Sequence, residues 1–106
     1  MAQFDVHRNP GQHRESIPYV VAVQSALFDG YPRRVVVPLA KKAHFGAIPN
    51  ARFNPSFIVK GTAVVLIPLE IVSVQVDKLG KPVASLRSQG DRIIDALDQL
   101  ITRAYD

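Results

Sequence analysis

Three carboxylates stand at Asp91, Asp95 and Asp98. Steps of four and three residues put them on one face of a helix. Such a face can dock a basic partner, or it can lie in water opposite an apolar stripe, and the charge pattern favours the solvated face. No metal site is expected, because His7, His13 and His44 are far from this stripe in sequence and no ligand spacing is present. The histidines could act as general bases, yet none stands in a catalytic spacing. His13, between Gln12 and Arg14, reads as a surface residue. Ser25 and Ser73 lack the G-x-S-x-G surroundings of an activated serine. No glycine motif for cradling phosphates is present. The chain has no cysteine, which removes disulfides, thiolate metal sites and cysteine nucleophiles. Arg33-Arg34 and Lys41-Lys42 could contact phosphates. The preferred reading is edge-strand charge that discourages association between sheets. No cofactor is called for.

The elements that must carry these residues follow from periodicity. Gln3 to His7 alternates as a short strand, with Phe4 and Val6 inward and Asp5 outward. Arg8 to Ser16 is polar, contains Pro10-Gly11, and reads as a mobile, exposed loop. Tyr19 to Ser25 and Arg33 to Leu39 read as strands joined through the turn Asp29-Gly30-Tyr31-Pro32. Pro38 cannot donate to a ladder, so it marks an end, an edge or a bulge. Lys41 to Asn50 is a loop or a single helical turn. Ser56 to Val59 and Val64 to Ile67 flank Lys60-Gly61-Thr62 as a tight hairpin. Leu69 to Val76 is a further strand. Ile93, Leu97, Leu100, Ile101 and Ala104 then recur at helical spacing, with Ser85 or Ser88 as the cap and Gly90 as an irregular first turn. Strands followed by one C-terminal helix indicate an α+β domain with an antiparallel sheet. Eight prolines and short strands favour a bent barrel over a flat sheet.

The chain of 106 residues reads as one domain, residues 1–106. Apolar residues make up 47% and charged residues 21%, which excludes disorder. A formal charge of +4 permits an acidic partner, protein or nucleic acid. Aromatics at 8% without tryptophan supply few platforms for base stacking. No apolar run approaches the roughly 18 residues of a membrane helix, and the first residues lack a signal-peptide pattern. A membrane partner is therefore not expected, and a cytoplasmic location is. Leu27 and Phe28 sit beside a turn, where they either fill a corner of the core or form an apolar contact patch. These features favour a binding module over an enzyme.

Val23-Gln24-Ser25, then Arg33-Arg34-Val35-Val36-Val37-Pro38-Leu39, form the densest recognisable pattern. Gln3-Phe4, Ser73-Val74-Gln75-Val76, Val83-Ala84-Ser85-Leu86 and Ile93 to Thr102 extend it in order over nearly the whole chain. This set resembles the toxins of the CcdB family, the toxic halves of plasmid and chromosomal addiction modules. The resemblance implies an SH3-like barrel with an antiparallel main sheet, a small second sheet and one C-terminal helix. It implies a homodimer that is no enzyme and that poisons DNA gyrase by binding its A subunit. It further implies a cognate antitoxin that neutralises the toxin through a disordered tail, and a toxin–antitoxin complex that binds operator DNA and represses its own operon.

Carried over residue by residue, the resemblance assigns the gyrase contact to Leu27 and Phe28 near the first turn and to Asp98, Ile101, Thr102, Arg103 and Ala104 at the helix end. The family pattern there has Asn, Phe, Trp, Gly and Ile at the last five positions. The resemblance assigns antitoxin contact to Arg8, His13 and Arg14 in the loop, with Asp98 and Thr102. Because Thr102 and Arg103 depart from the family, one alternative is a degenerate member that binds antitoxin without harming gyrase. The other is an endoribonuclease on the same barrel, with His44 or Asp29 beside Arg33 or Arg34 as candidate groups.

Overall fold

The computed structural model describes residues 2–101. Among these, seven strands and two α-helices follow in order: β1 (Asp5–Arg8), β2 (Tyr19–Ala22), β3 (Arg33–Lys41), α1 (Lys42–Phe45), β4 (Ser56–Val59), β5 (Thr62–Leu66), β6 (Val72–Gln75), β7 (Ala84–Ser85) and α2 (Gly90–Ile101). All pairings are antiparallel. The sheet runs β4-β5-β3-β2-β1-β7, and β6 branches from β3. The arrangement is the expected α+β, SH3-like barrel with its C-terminal helix. The branch strand β6 occupies the place of the small second sheet.

Strand β3 organises the branch. Its first half, Arg33 to Val36, pairs with β6, and its last three residues pair with β5. Pro38 lies between these stretches and inside the strand, not at its end. In a strand the N and C=O of one residue point to the same side. The Pro38 carbonyl accepts from the Ile67 N–H at 3.1 Å, so the ring nitrogen faces the gap between β6 and β5. Proline therefore costs no ladder bond with β2.

Some boundaries differ from the alternation. β1 starts at Asp5 rather than Gln3, and β2 ends at Ala22 rather than Ser25. Beyond Ala22 the Val23 N–H still donates to Val35 O at 3.0 Å, and the Gln24 side chain then takes over from the backbone: its Oε1 accepts the Val35 N–H at 3.0 Å. Pro68 opens a 3-10 turn over Pro68–Glu70, which delays β6 to Val72. The Lys41–Asn50 segment contains the single helical turn α1. Lys60 and Gly61 both have positive φ, 49° and 80°, as a two-residue hairpin turn demands.

The main core lies between the sheet and α2. Val6, Val21, Val37, Leu39, Phe57, Leu66, Ile93 and Ala96 belong to it. Ile93 is fully buried, and burial of such a side chain contributes about 1.5–3 kcal/mol. The opposite sheet face carries a smaller cluster of Val20, Ala22, Val36 and Leu79, flanked by Val74. With both faces covered, β1 buries Val6 and also His7. Arg92 fastens α2 to the open edge of β4: its guanidinium lies 4.6 Å from the Phe57 ring centroid and donates to the Ser56 carbonyl at 2.9 Å.

Candidate functional site

Residues after β2 close a tight 3-10 turn over Ala26–Phe28. The Ser25 hydroxyl accepts the Leu27 N–H at 3.2 Å, and the Ser25 carbonyl accepts the Phe28 N–H at 3.0 Å. This cap turns the apolar pair outward. Leu27 is 86% exposed and Phe28 49%, so neither fills a core corner. Phe28 meets Tyr31 edge-on, with centroids 6.0 Å apart. A shallow hollow of about 470 Å3 opens between Phe28, Tyr31, Gln24, Arg33 and Val35. An exposed leucine beside an aromatic-walled hollow can grip an apolar partner side chain.

Helix α2 buries Gly90, Ile93 and Ala96. Its outer side presents Ile94, Asp98 and Ile101, and Ile101 is 76% exposed. Asp98 and Ile101 therefore face outward as a second apolar and acidic surface. Thr102, Arg103 and Ala104 lie outside the described residues, as do Tyr105 and Asp106. The Ala26–Phe28 turn borders the start of α2, since Ala26 lines one hollow with Phe4 and Arg87. Asp98 and Ile101 stand about 12 and 16 Å further along the helix axis. Within the chain the two parts assigned to gyrase thus form separate surfaces.

The aspartate stripe divides on inspection. Asp95 binds Arg52 through two bonds of 2.7 and 2.8 Å. The Arg52 hydrogen bond holds the Asp95 carboxyl below its ordinary range, and Asp95 in turn raises Arg52. Asp91 and Asp98 are exposed, in keeping with a solvated face. Among the described residues no group of three histidines, cysteines or carboxylates could hold a metal.

The polar loop after β1 is tied down rather than loose. Asn9 is buried; its amide donates to Gln12 O and Ile17 O at 2.8 Å, and its Oδ1 accepts the Gly11 N–H at 2.8 Å. Arg14 donates to Gly11 O. Arg8, His13 and Arg14 are exposed around this knot. A groove of about 580 Å3 runs from it toward β6, with His13, Arg33 and Lys78 on its walls against the single acid Glu70. A second hollow of about 300 Å3 shares Asn9, Pro10 and Lys78 and adds Arg8 and Arg14. His13 thus lines the groove, and Arg8 and Arg14 line the neighbouring hollow. Asp98 lines neither hollow.

Of the remaining candidates, Asp29 and Arg34 come together, the carboxylate 3.8 Å from Nε, while the histidines stand apart. His7 is fully buried, with Nδ1 3.1 Å from Gly80 O. His44 is exposed on α1. Asp29 and Arg33 stand at the opposite end of β3 from α1, roughly 26 Å along the strand. Arg33 does serve an edge: it donates to the Ser73 hydroxyl and carbonyl at 2.7 and 2.8 Å, covering β6. Arg34 contradicts both readings of the arginine pair. It is 6% exposed and spends its donors on the carbonyls of Tyr31, Arg33 and Asp29. A signal was present: adjacent strand residues face opposite sides, so only one of two neighbouring arginines can stay in water. The interior position of His7 had no such signal.

A family profile described as "CcdB protein" matches residues 3–102. The chain belongs to the CcdB family. At the family level this makes it a toxin of a toxin–antitoxin module directed at DNA gyrase. The match spans every strand of the barrel and both helices. A comparison with curated proteins returned no match.

Proposed function

We propose that this CcdB-family chain inhibits DNA gyrase by protein–protein contact with the A subunit and trapping of cleaved DNA, with no bond chemistry of its own. The observation that carries this is the family match over residues 3–102 together with the outward Leu27. Leu27 and Phe28 form one contact, and Asp98 and Ile101, continued by Thr102, Arg103 and Ala104, form the other. Their separation in one protomer supports a homodimer as the working unit, since two copies present both contacts together. The antitoxin places an acidic tail along the groove of His13 and the neighbouring hollow of Arg8 and Arg14, whose excess of cations suits it. The same partner reaches Asp98 and Thr102. The toxin–antitoxin complex, not the toxin alone, binds operator DNA and represses the operon in the cytoplasm.

The test is supercoiling by purified gyrase with added protein, scored for linear DNA released on denaturation. Leu27→Ala is expected to weaken inhibition about tenfold or more, in the range of an interface hot spot. Its stability should stay within about 0.5 kcal/mol of the parent. No inhibition by the parent at micromolar protein overturns the proposal. Thr102-Arg103, in place of an aromatic and a glycine, favours a second reading in which antitoxin binding persists without toxicity. Growth arrest on expression without antitoxin excludes that reading. Toxicity gained only in Thr102→Trp with Arg103→Gly supports it.

A further inference from the structure

We infer that Arg34, with Gln24, is the positioning device for the Leu27/Phe28 contact, holding the turn so that both side chains project at a fixed angle. The inference takes its partner from the gyrase reading above. Its physical basis is separate.

Ala26 to Tyr31 leaves the sheet, and its own backbone bonds are three short local ones: Phe28 N–H to Ser25, Asp29 N–H to Ala26 and Tyr31 N–H to Phe28. Several carbonyls of this excursion would otherwise depend on water. Arg34 reaches them from below. Its Nη1 donates to Tyr31 O at 2.6 Å and Arg33 O at 2.9 Å, and its Nη2 donates to Asp29 O at 2.7 Å. The Asp29 carboxylate stands 3.8 Å from Nε and supplies countercharge without a hydrogen bond. Gln24 holds the other side, donating to Phe28 O at 3.1 Å and Arg33 O at 3.2 Å. Its Oε1 accepts the Val35 N–H, so the turn is coupled to the ladder of β3.

A buried guanidinium is a demanding group, and its planar fork satisfies several fixed acceptors at once. A lysine has one donor nitrogen in place of the two that here reach Tyr31 O and Asp29 O separately. The arrangement keeps Leu27 exposed and ordered, which lowers the entropy lost when a partner binds it.

The experiment uses Arg34→Lys and, as a milder change, Gln24→Ala. Amide hydrogen exchange is read at Phe28, Asp29 and Tyr31 and, as a control, at Val21, Val37 and Leu66. Gyrase inhibition is measured on the same samples. Exchange in the turn should quicken roughly tenfold or more, as loss of charged hydrogen bonds implies, with the control amides unchanged. Inhibition should weaken by a similar factor. Leu27→Ala should weaken inhibition while turn exchange stays as in the parent, which separates contact from positioning. Unchanged turn exchange in both variants overturns the inference, as does a loosened turn with undiminished inhibition. Should Arg34→Lys fail to fold, Gln24→Ala decides alone. A parent without gyrase inhibition would sink the gyrase reading and, with it, the contact that Arg34 is inferred to position. Exchange would then report only on the clamp.

Discussion

Gly90→Ala sets two rules against each other. Gly90 opens α2 with helical φ and ψ of −56° and −33°. On propensity alone, alanine should stabilise a helix position by about 1 kcal/mol or less. Space says the opposite. A Cβ at Gly90 would lie 2.5 Å from Phe4 Cε2, 2.9 Å from Cδ2 and 3.2 Å from Cζ. The ring would have to retreat by about 1 Å to reach ordinary contact. It has little freedom to do so. Phe4 is 8% exposed, its backbone sits at φ 70°, and its N–H and C=O are bound to Ala22 and Leu86. Overpacking of this kind costs about 1–3 kcal/mol. Less the propensity gain, the expected net loss centres on about 1 kcal/mol, with a fall in Tm of about 4–8 °C per kcal/mol. Urea unfolding measures it, with an unchanged slope as the sign of an intact two-state transition. Phe4→Leu frees the space, so the double variant should lose less than the two single losses added. A Gly90→Ala protein as stable as the parent, or more so, refutes the close-packing argument.

Further outcomes follow from other contacts. Arg52→Gln should raise the Asp95 titration midpoint toward an ordinary aspartate, read by NMR. Because the folded value is depressed, the pair stabilises the fold above the unfolded aspartate pKa, and this is lost as pH falls through the folded value. The effect should shrink in salt, since Arg52 is 70% exposed. Asn9→Ala removes three side-chain bonds and should cost about 2–3 kcal/mol in urea unfolding. Exchange should quicken from Gly11 to Ile17. Lys60→Asn relieves a left-handed lysine at φ 49° and should raise stability by about 0.5 kcal/mol, because Asn-Gly suits this hairpin turn.

Local rules made several elements legible. Lys60-Gly61-Thr62 announced a tight hairpin; the structure shortens the turn to Lys60-Gly61, because Thr62 already pairs with Val59 and opens β5. The recurrence of Ile93, Leu97, Leu100 and Ile101 announced α2, but its buried face is set by Ile93 and Ala96, and Ile101 is 76% exposed. The ordered patches from Gln3 to Thr102 pointed to the family. The boundaries at Ala22 and Val72 were not legible. Gln24 continues a ladder with its side chain, and Pro68 inserts a turn, and neither act has a periodic signature.

The amino-acid order alone thus determined the class of fold, the presence of the hairpin and of the helix, and the family, because each rests on local patterns along the chain. Tertiary structure alone decided the rest. Pro38 is tolerated mid-strand only because β3 changes partners there. His7 is interior only because both faces of β1 are covered. Gly90 is required by the ring of Phe4, 86 residues away. Alternation says that Arg33 and Arg34 face opposite sides, but which of them is buried, and that Leu27 stands out in water, is decided by contacts between segments. Periodicity tells which side a residue faces, and only packing tells what, if anything, lies on that side.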